Sequence, residues 1–168
     1  MKRLFLFLLS VGLLFAAVPQ SIPGTGLKLL ETETELGEEM GYYATDDQVT
    51  VAVLAQQSMS SSEWSDIESQ YISGGLASRT DSGVKYYYTC EETDGEMQCF
   101  SDMYNNGMYY AIDVNVLDGT ESETVDTVIN IGREAMKTGG AATPTPSSGG
   151  CLPAAILLLL VSIVVFRG

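Results

Sequence analysis

Apolar and polar side chains alternate along several stretches between residues 40 and 137, and this alternation predicts a β-sheet. Residues 49–54 place valine at every second position, which is typical of a strand. A turn at Asp46-Asp47 pairs this strand with residues 40–44. The chain therefore begins its central domain with a predicted hairpin.

Two Asx-Gly pairs, Asp94-Gly95 and Asn106-Gly107, predict two further hairpins, because type I′ turns need positive φ at both central residues. The turns also set the strand register, which places Cys90 opposite Cys99. One face of the resulting sheet is the predicted core face and carries Tyr86, Tyr88, Cys90, Cys99, Met103, Tyr110, Ile112, Val114 and Val116. The other face carries Tyr87, Thr89, Phe100, Asp102, Tyr104, Tyr109, Ala111, Asp113 and Asn115.

Two segments show helical spacing instead. Residues 61–72 place Trp64, Ile67 and Tyr71 on one side, and residues 121–137 carry an apolar stripe that suits the core face. Each follows a Ser or Thr with a Glu three residues later, the pattern of a capping box. These elements predict an α+β fold: an antiparallel sheet with two Asx-Gly hairpins, one helix before it and one after it.

The first 21 residues have the pattern of a secretory signal. Lys2 and Arg3 precede an apolar run over residues 4–18, and small or polar residues follow. An uncleaved signal anchor is the alternative. No cysteine follows the apolar run, so attachment of a lipid at this end is not predicted.

Residues 151–168 predict a C-terminal transmembrane anchor or sorting segment. As a helix, the apolar run 151–166 reaches about 24 Å, a short span for a hydrocarbon core of roughly 30 Å. Residues 138–150 contain Thr, Ser, Pro and Gly without a large apolar side chain and predict a flexible stalk. Arg167 and the basic N-terminus favour the cytoplasm, so the domain is predicted to face outside.

The acidic residues are confined to the part of the chain between the two apolar ends. The net charge is −14, and all 22 acidic side chains lie within residues 31–134. This balance repels nucleic acid, which we exclude as a partner. Solubility is the simplest reason for it, and the alternatives are a cation, a basic partner or life in high salt. Residues 22–39 are predicted as an acidic linker or an edge strand, and residues 40–137 as the extracytoplasmic domain.

The cysteines indicate an oxidising compartment. Cys90 and Cys99 fall at a non-hydrogen-bonded pair of the first hairpin, where opposing Cα atoms are about 4.5 Å apart and a disulfide fits. Because the domain is predicted to be exported to an oxidising compartment, we favour a disulfide over two reduced thiols. Cys151 is left over at the junction of stalk and tail, where lipidation, processing or an intermolecular bridge are the alternatives to a simple apolar role.

The last thirty or so residues resemble the C-terminal sorting segments of archaeal surface proteins. Those segments place a Thr/Ser/Pro-rich stalk before a short signature, an apolar helix and basic residues. In the class typical of Thermococcus-like archaea the signature is Cys-Gly-Pro. Here Cys151-Leu152-Pro153 differs at the middle position, and Arg167 stands in place of a basic cluster. The resemblance implies surface anchoring, with processing near Cys151.

Candidate catalytic chemistry is restricted by the absence of histidine from the chain. Ser-His-Asp catalysis, Cys-His catalysis and His-ligated zinc are excluded. Residues 113–123 do not match the calcium loop of an EF-hand, whose fifth and sixth positions need an acid and a glycine. We therefore predict no metal, no cofactor and no enzyme activity. A pair of convergent carboxylates remains the alternative.

A binding patch is predicted on the sheet face opposite the core. Its members are Tyr87, Phe100, Asp102, Tyr104, Tyr109 and Asp113. Tyrosines beside acids suit a protein, glycan or cation ligand. The alternative is that the helix over residues 61–72, or the first hairpin, covers this face and makes it a second core.

The sequence as a whole predicts a non-catalytic surface or binding module on the outside of the cell membrane. A secreted carboxylate-dependent hydrolase and an accessory subunit of a membrane complex are the alternatives.

Overall fold

A computed structural model describes residues 18–35 and 38–139, which form an antiparallel sheet of eight strands with two helices. The strands are β1 Ser21–Ile22, β2 Leu27–Glu35, β3 Glu38–Ala44, β4 Thr50–Ser58, β5 Ala77–Asp81, β6 Val84–Thr93, β7 Glu96–Asn105 and β8 Met108–Leu117. Helix α1, Ser61–Gly74, follows β4, and helix α2, Glu121–Gly139, follows β8. The spatial order β1-β2-β3-β4-β8-β7-β6-β5 joins two meanders through the β4–β8 pair. The predicted α+β class with an antiparallel sheet is confirmed, but the helix predicted before the sheet lies between β4 and β5 of a single sheet, because the first four strands pair with the later ones through β4 and β8.

Both Asx-Gly hairpins have the predicted register. Asp94 and Asn106 adopt φ values of 54° and 50°, and the glycine after each is also in the left-handed region. That geometry belongs to type I′ turns, which form two-residue loops. The residues on either side of each loop therefore pair directly with one another. Cys90 consequently lies opposite Cys99, and the same side of the sheet continues across β7 into β8.

The Cys90–Cys99 disulfide is present, with the two Cα atoms 4.2 Å apart. Cys99 is fully buried on the core face, while Cys90 is partly exposed. The bridge joins β6 to β7 near the Asp94-Gly95 turn and supports the packing of that end of the sheet.

Removing the bridge is expected to lower the free energy of unfolding by about 2–3 kcal/mol, because the short loop that it closes restricts the unfolded chain. The comparison uses a Cys90→Ala, Cys99→Ala chain and its parent, both carrying Cys151→Ser so that no other thiol pairs. Urea unfolding measures the difference. Equal midpoints for the two chains would contradict this expectation.

Local sequence signals begin both helices. At α1 the Ser60 hydroxyl accepts from the Glu63 amide, and the Glu63 carboxylate accepts from the Ser60 amide, which completes a capping box. Thr120 and Glu123 make the same exchange at α2. Gly75, in the left-handed region, ends α1. The helix predicted over residues 61–72 is thereby confirmed with two further residues at its C-terminal end.

Helix α2 covers the core face of the sheet. Its buried side chains include Val125, Val128, Ile129, Ile131 and Ala135, which pack with the buried side chains of both meanders. Gly132 makes the closest approach to the sheet, where a Cβ atom would lie 2.6 Å from Tyr86 Cε1 and 2.8 Å from Met103 Sδ. Only a residue without a side chain allows this contact.

The N-terminal boundary of the domain differs from the prediction. Of the two alternatives for residues 22–39, the linker is wrong for residues 27–35 and the strand is right, since they form β2 and pair with β3. Two of the residues assigned to the signal segment also pack on the domain: Val18 is buried, and the Tyr43 hydroxyl donates to the Pro19 carbonyl oxygen at 2.9 Å. The domain therefore starts well before residue 40.

Strand β4 is confirmed, but its valines are not its buried residues. Ala52 and Leu54 point into the core, whereas Val51 points to the other side of the sheet and is 42% exposed. Alternation predicts a strand but does not say which set of alternating side chains is buried.

Residues 1–17 of the predicted signal, the stalk from residue 140 onward and the predicted anchor 151–168, with Cys151, lie outside the described residues. Within residues 18–35 and 38–139, neither helix is long and apolar enough to cross a membrane.

Candidate functional site

The face of the sheet opposite the core, here called the second face, is covered by α1 over one end only. Trp64, Ile67 and Tyr71 of α1 pack there on Tyr87 of β6 and Tyr109 of β8. The amide of Met59, just before α1, donates to the Gly107 carbonyl oxygen and fixes the start of the helix beside the β7–β8 turn. The covered end is a second core.

The six predicted patch residues divide between the covered and the uncovered ends. Tyr87, Asp102 and Tyr109 are 2%, 1% and 0% exposed beneath α1, so the prediction of an open patch is wrong for them. Tyr104 is partly exposed at the edge of the covered end, where its ring stacks on Trp64 with centroids 5.7 Å apart. Phe100 and Asp113 are partly exposed beyond the helix. The alternative in which the helix covers this face therefore holds for half of the set.

Asp102 is the central polar group of the covered end. Its Oδ2 atom accepts from the Tyr71 hydroxyl and its Oδ1 atom from the Tyr109 hydroxyl, each at 2.5 Å. Burial raises the pKa of Asp102 to about 6, and the two hydroxyl donors only partly offset this rise. Burial and the neighbouring carboxylate raise the pKa of both tyrosines above its usual range, so their hydroxyls stay protonated and donate. This network ties α1 to the sheet.

A second polar contact closes the edge of the covered end. The Tyr87 hydroxyl donates to Glu68 Oε1 of α1 at 2.7 Å, and the Lys85 ammonium lies 4.5 Å from the centroid of the Tyr87 ring. Sequence reasoning placed Tyr71 on the apolar stripe of the helix and missed Glu68. The sequence could have indicated these two hydrogen bonds only through the general rule that a buried tyrosine hydroxyl needs a partner.

The uncovered end of the second face, here called the open patch, is an exposed apolar surface with polar groups within it. Its members come from β4, β7 and β8: Val51, Val53, Gln98, Phe100, Asp113, Asn115 and Leu117. Val51 is 42% and Leu117 is 48% exposed, while Val53 and Phe100 are partly exposed. Two of the five large apolar side chains that are most exposed in the described residues thus lie in one patch.

Asp113 is the ionisable group inside the open patch. It lies opposite Val53 on one side and Phe100 on the other, and Gln98 Nε2 donates to both of its oxygens at 3.1 and 3.2 Å. Partial burial raises the pKa of Asp113 above its usual value, against the lowering effect of the Gln98 bond. A cation near this carboxylate would favour its charged form.

Four further acids surround the open patch. Glu91 and Glu96 belong to β6 and β7 on one side, and Glu31 and Glu33 belong to β2 on the other. Among the described residues, no group of three or more acids or cysteines is arranged to hold a metal ion. The open patch therefore has the composition of a contact surface, apolar in the middle and acidic at its margins.

Comparison with protein-family models finds no match to this chain, and comparison with curated proteins finds none either.

Proposed function

We propose that this protein is a non-catalytic binding module held on the outer side of the cell membrane by its C-terminal segment. The observation that carries the proposal is the open patch, the half of a sheet face that no helix of residues 18–35 and 38–139 covers, whereas α1 covers the other half. Exposed apolar side chains gathered in one place are typical of interaction sites. The open patch is thus the surface at which a ligand or partner binds.

Two features support the extracytoplasmic location. The Cys90–Cys99 bridge suits an oxidising compartment. The sequence pattern of the two ends, with Lys2 and Arg3 before one apolar run and Arg167 after the other, favours a domain that faces outward. The membrane is therefore the first partner that we propose.

The hydrolase alternative needs two carboxylates that both reach a substrate. Asp102 and Asp113 lie on adjacent strands of the same face, since Asp102 pairs with Ala111 and Asp113 is two residues further along β8. Both oxygens of Asp102 accept tyrosine hydroxyls beneath α1, so of these two acids only Asp113 reaches the open patch. This arrangement favours binding over hydrolysis.

Labelling of intact cells tests the location. Lys28 and Lys137 are 60% and 62% exposed and lie on different parts of the domain. In cells producing the full chain, a membrane-impermeant lysine reagent is expected to modify both lysines before lysis. The modified protein is expected in the membrane fraction, and mass spectrometry of its peptides identifies the sites.

A chain ending at residue 150 serves as the matched control, because it keeps the domain and loses the predicted anchor. It is expected to leave the membrane fraction while its lysines are modified in the same way. Modification of the full chain only after lysis would show that the domain faces the cytoplasm and would overturn the proposed location.

A further inference from the structure

The basic side chains of the described residues all have partners outside the open patch. Four of them form ion pairs: Lys28 with Asp46, Arg79 with Asp126, Arg133 with Asp81 and Lys137 with Glu134. The fifth, Lys85, lies over the Tyr87 ring at the edge of the covered end. Of the five, Lys28 lies on the same face of the sheet as the open patch, opposite Ala44 on β3, but its ammonium is paired with Asp46.

Three acids of the open patch accept hydrogen bonds from neutral donors. Glu33 accepts from the Tyr42 hydroxyl, and Glu96 accepts from Asn115 Nδ2. Asp113 accepts from Gln98, as described above. The Oδ1 atom of Asn115 is buried without a donor among the described residues. Five acids and one lysine, Lys28, lie on this part of the face, and the lysine is already paired with Asp46, so the open patch carries a net negative potential that attracts cations.

The space beside α1 has the dimensions of one more helix. Ala111 of β8 packs beneath α1, and from Asp113, the next residue on this face, to Leu117 the strand runs about 14 Å at about 3.4 Å per residue. A helix with its side chains is about 10–12 Å wide. A second helix placed on the open patch would complete the layer that α1 begins.

We propose that the open patch binds an amphipathic helix of a partner protein that crosses the strands beside α1 and carries Lys and Arg at both ends of its apolar stripe. This inference rests on the proposed function and names the class of its partner. The apolar stripe lies on Val51, Val53, Phe100 and Leu117, and the basic residues reach Glu91 and Glu96 at one end of the helix and Glu31 and Glu33 at the other. A second copy of this chain is disfavoured, because two open patches placed face to face would oppose the same acidic margins.

The test uses the full chain in nanodiscs of zwitterionic lipid and a fluorescent, 18-residue amphipathic helical peptide built from Leu, Ala and Lys. Anisotropy measures binding, with empty nanodiscs as the blank. We expect saturable binding that weakens as salt is raised. A peptide with Glu in place of Lys, and a scrambled Lys peptide without an apolar stripe, are expected to bind at least tenfold more weakly.

Two pairs of substitutions locate the site. Glu31→Gln with Glu96→Gln removes two charges at the margins and is expected to weaken binding of the Lys peptide about tenfold. Asp126→Asn with Glu134→Gln removes two charges from α2, on the other side of the sheet, and is expected to leave binding unchanged. Methyl spectra of labelled Val and Leu are expected to shift at Val51, Val53 and Leu117.

Equal binding of the Glu peptide, or equal losses in the two charge variants, would overturn the proposal. Methyl shifts that follow protein concentration instead of peptide would assign the open patch to a second copy and would also overturn it. The nanodisc assay does not depend on the location of the protein in cells. Failure of the peptide to bind is therefore distinguishable from failure of the lysine labelling.

Discussion

Asp102→Ala is expected to lower the free energy of unfolding by about 3–4 kcal/mol at pH 5. Alanine leaves the hydroxyls of Tyr71 and Tyr109 buried without their acceptor, and each buried unsatisfied group costs about 1–3 kcal/mol. Unfolding of the variant should begin at α1, because the Asp102 carboxylate links Tyr71 of that helix to Tyr109 of β8. Trp64, the single tryptophan of the chain, lies on α1 and reports the change by fluorescence during urea unfolding.

The Asp102→Asn substitution tests the contribution of the charge separately from that of the hydrogen bonds. Asparagine keeps an acceptor for one hydroxyl and a donor for the other, and it has no charge at any pH. Because the pKa of Asp102 is raised to about 6 in the folded domain, folding favours its protonated form. Its contribution to stability is thus fully present below about pH 4, the usual aspartate pKa, and is lost as pH rises through about 6.

Relative to the Asp102→Asn protein, the parent is therefore expected to lose about 2–3 kcal/mol of stability between pH 4 and pH 7.5. Urea unfolding of both proteins at several pH values measures this difference, and other titrating groups cancel in the comparison. A difference that stays constant over this range would show that Asp102 does not carry the pH dependence.

Gly132→Ala is expected to destabilise the domain by about 2 kcal/mol, and Gly132→Val by about 3 kcal/mol or more. Alanine is the better helix former by about 1 kcal/mol, so intrinsic propensity alone predicts the opposite sign. The added Cβ would lie too close to Tyr86 and Met103, which are 1% and 0% exposed, so both would have to shift within the packed core. Helix α2 would have to lift from the sheet.

Gly74→Ala is the matched control, because it changes the same residue type near the end of α1. The nearest atom to its added Cβ, Leu76 Cδ1, is 3.5 Å away, an ordinary contact. This change is expected to be neutral or to stabilise by up to about 1 kcal/mol. Thermal unfolding of the two alanine proteins measures both signs, and a stabilised Gly132→Ala protein would contradict the packing argument.

Much of the sheet was predictable, because its signals are local. Asp94-Gly95 and Asn106-Gly107 specify a turn type, the turn type specifies the register, and the register places Cys90 opposite Cys99. Ser60 with Glu63 likewise predicts the start of α1 from four consecutive residues. Interactions between neighbours in sequence need no knowledge of the rest of the fold.

The remaining features depend on contacts between distant parts of the chain. Strand β2 is exposed along most of its length and alternates Glu with Thr, so it lacks the apolar periodicity that indicates a strand. Tyr87, Asp102 and Tyr109 have the composition of a binding surface, and only the position of α1 makes them a second core. The same ambiguity explains why the open patch at Val51 was not predicted.

The place of α2 at the end of the described chain has a consequence for the order of folding. Both meanders emerge from the ribosome before the helix that covers them, and β8 becomes available to pair with β4 only late in synthesis. Until residue 139 has emerged, the side chains beneath α2 have no cover, and a nascent chain stalled before that point is expected to engage chaperones. The domain thus matures only after its synthesis is nearly complete.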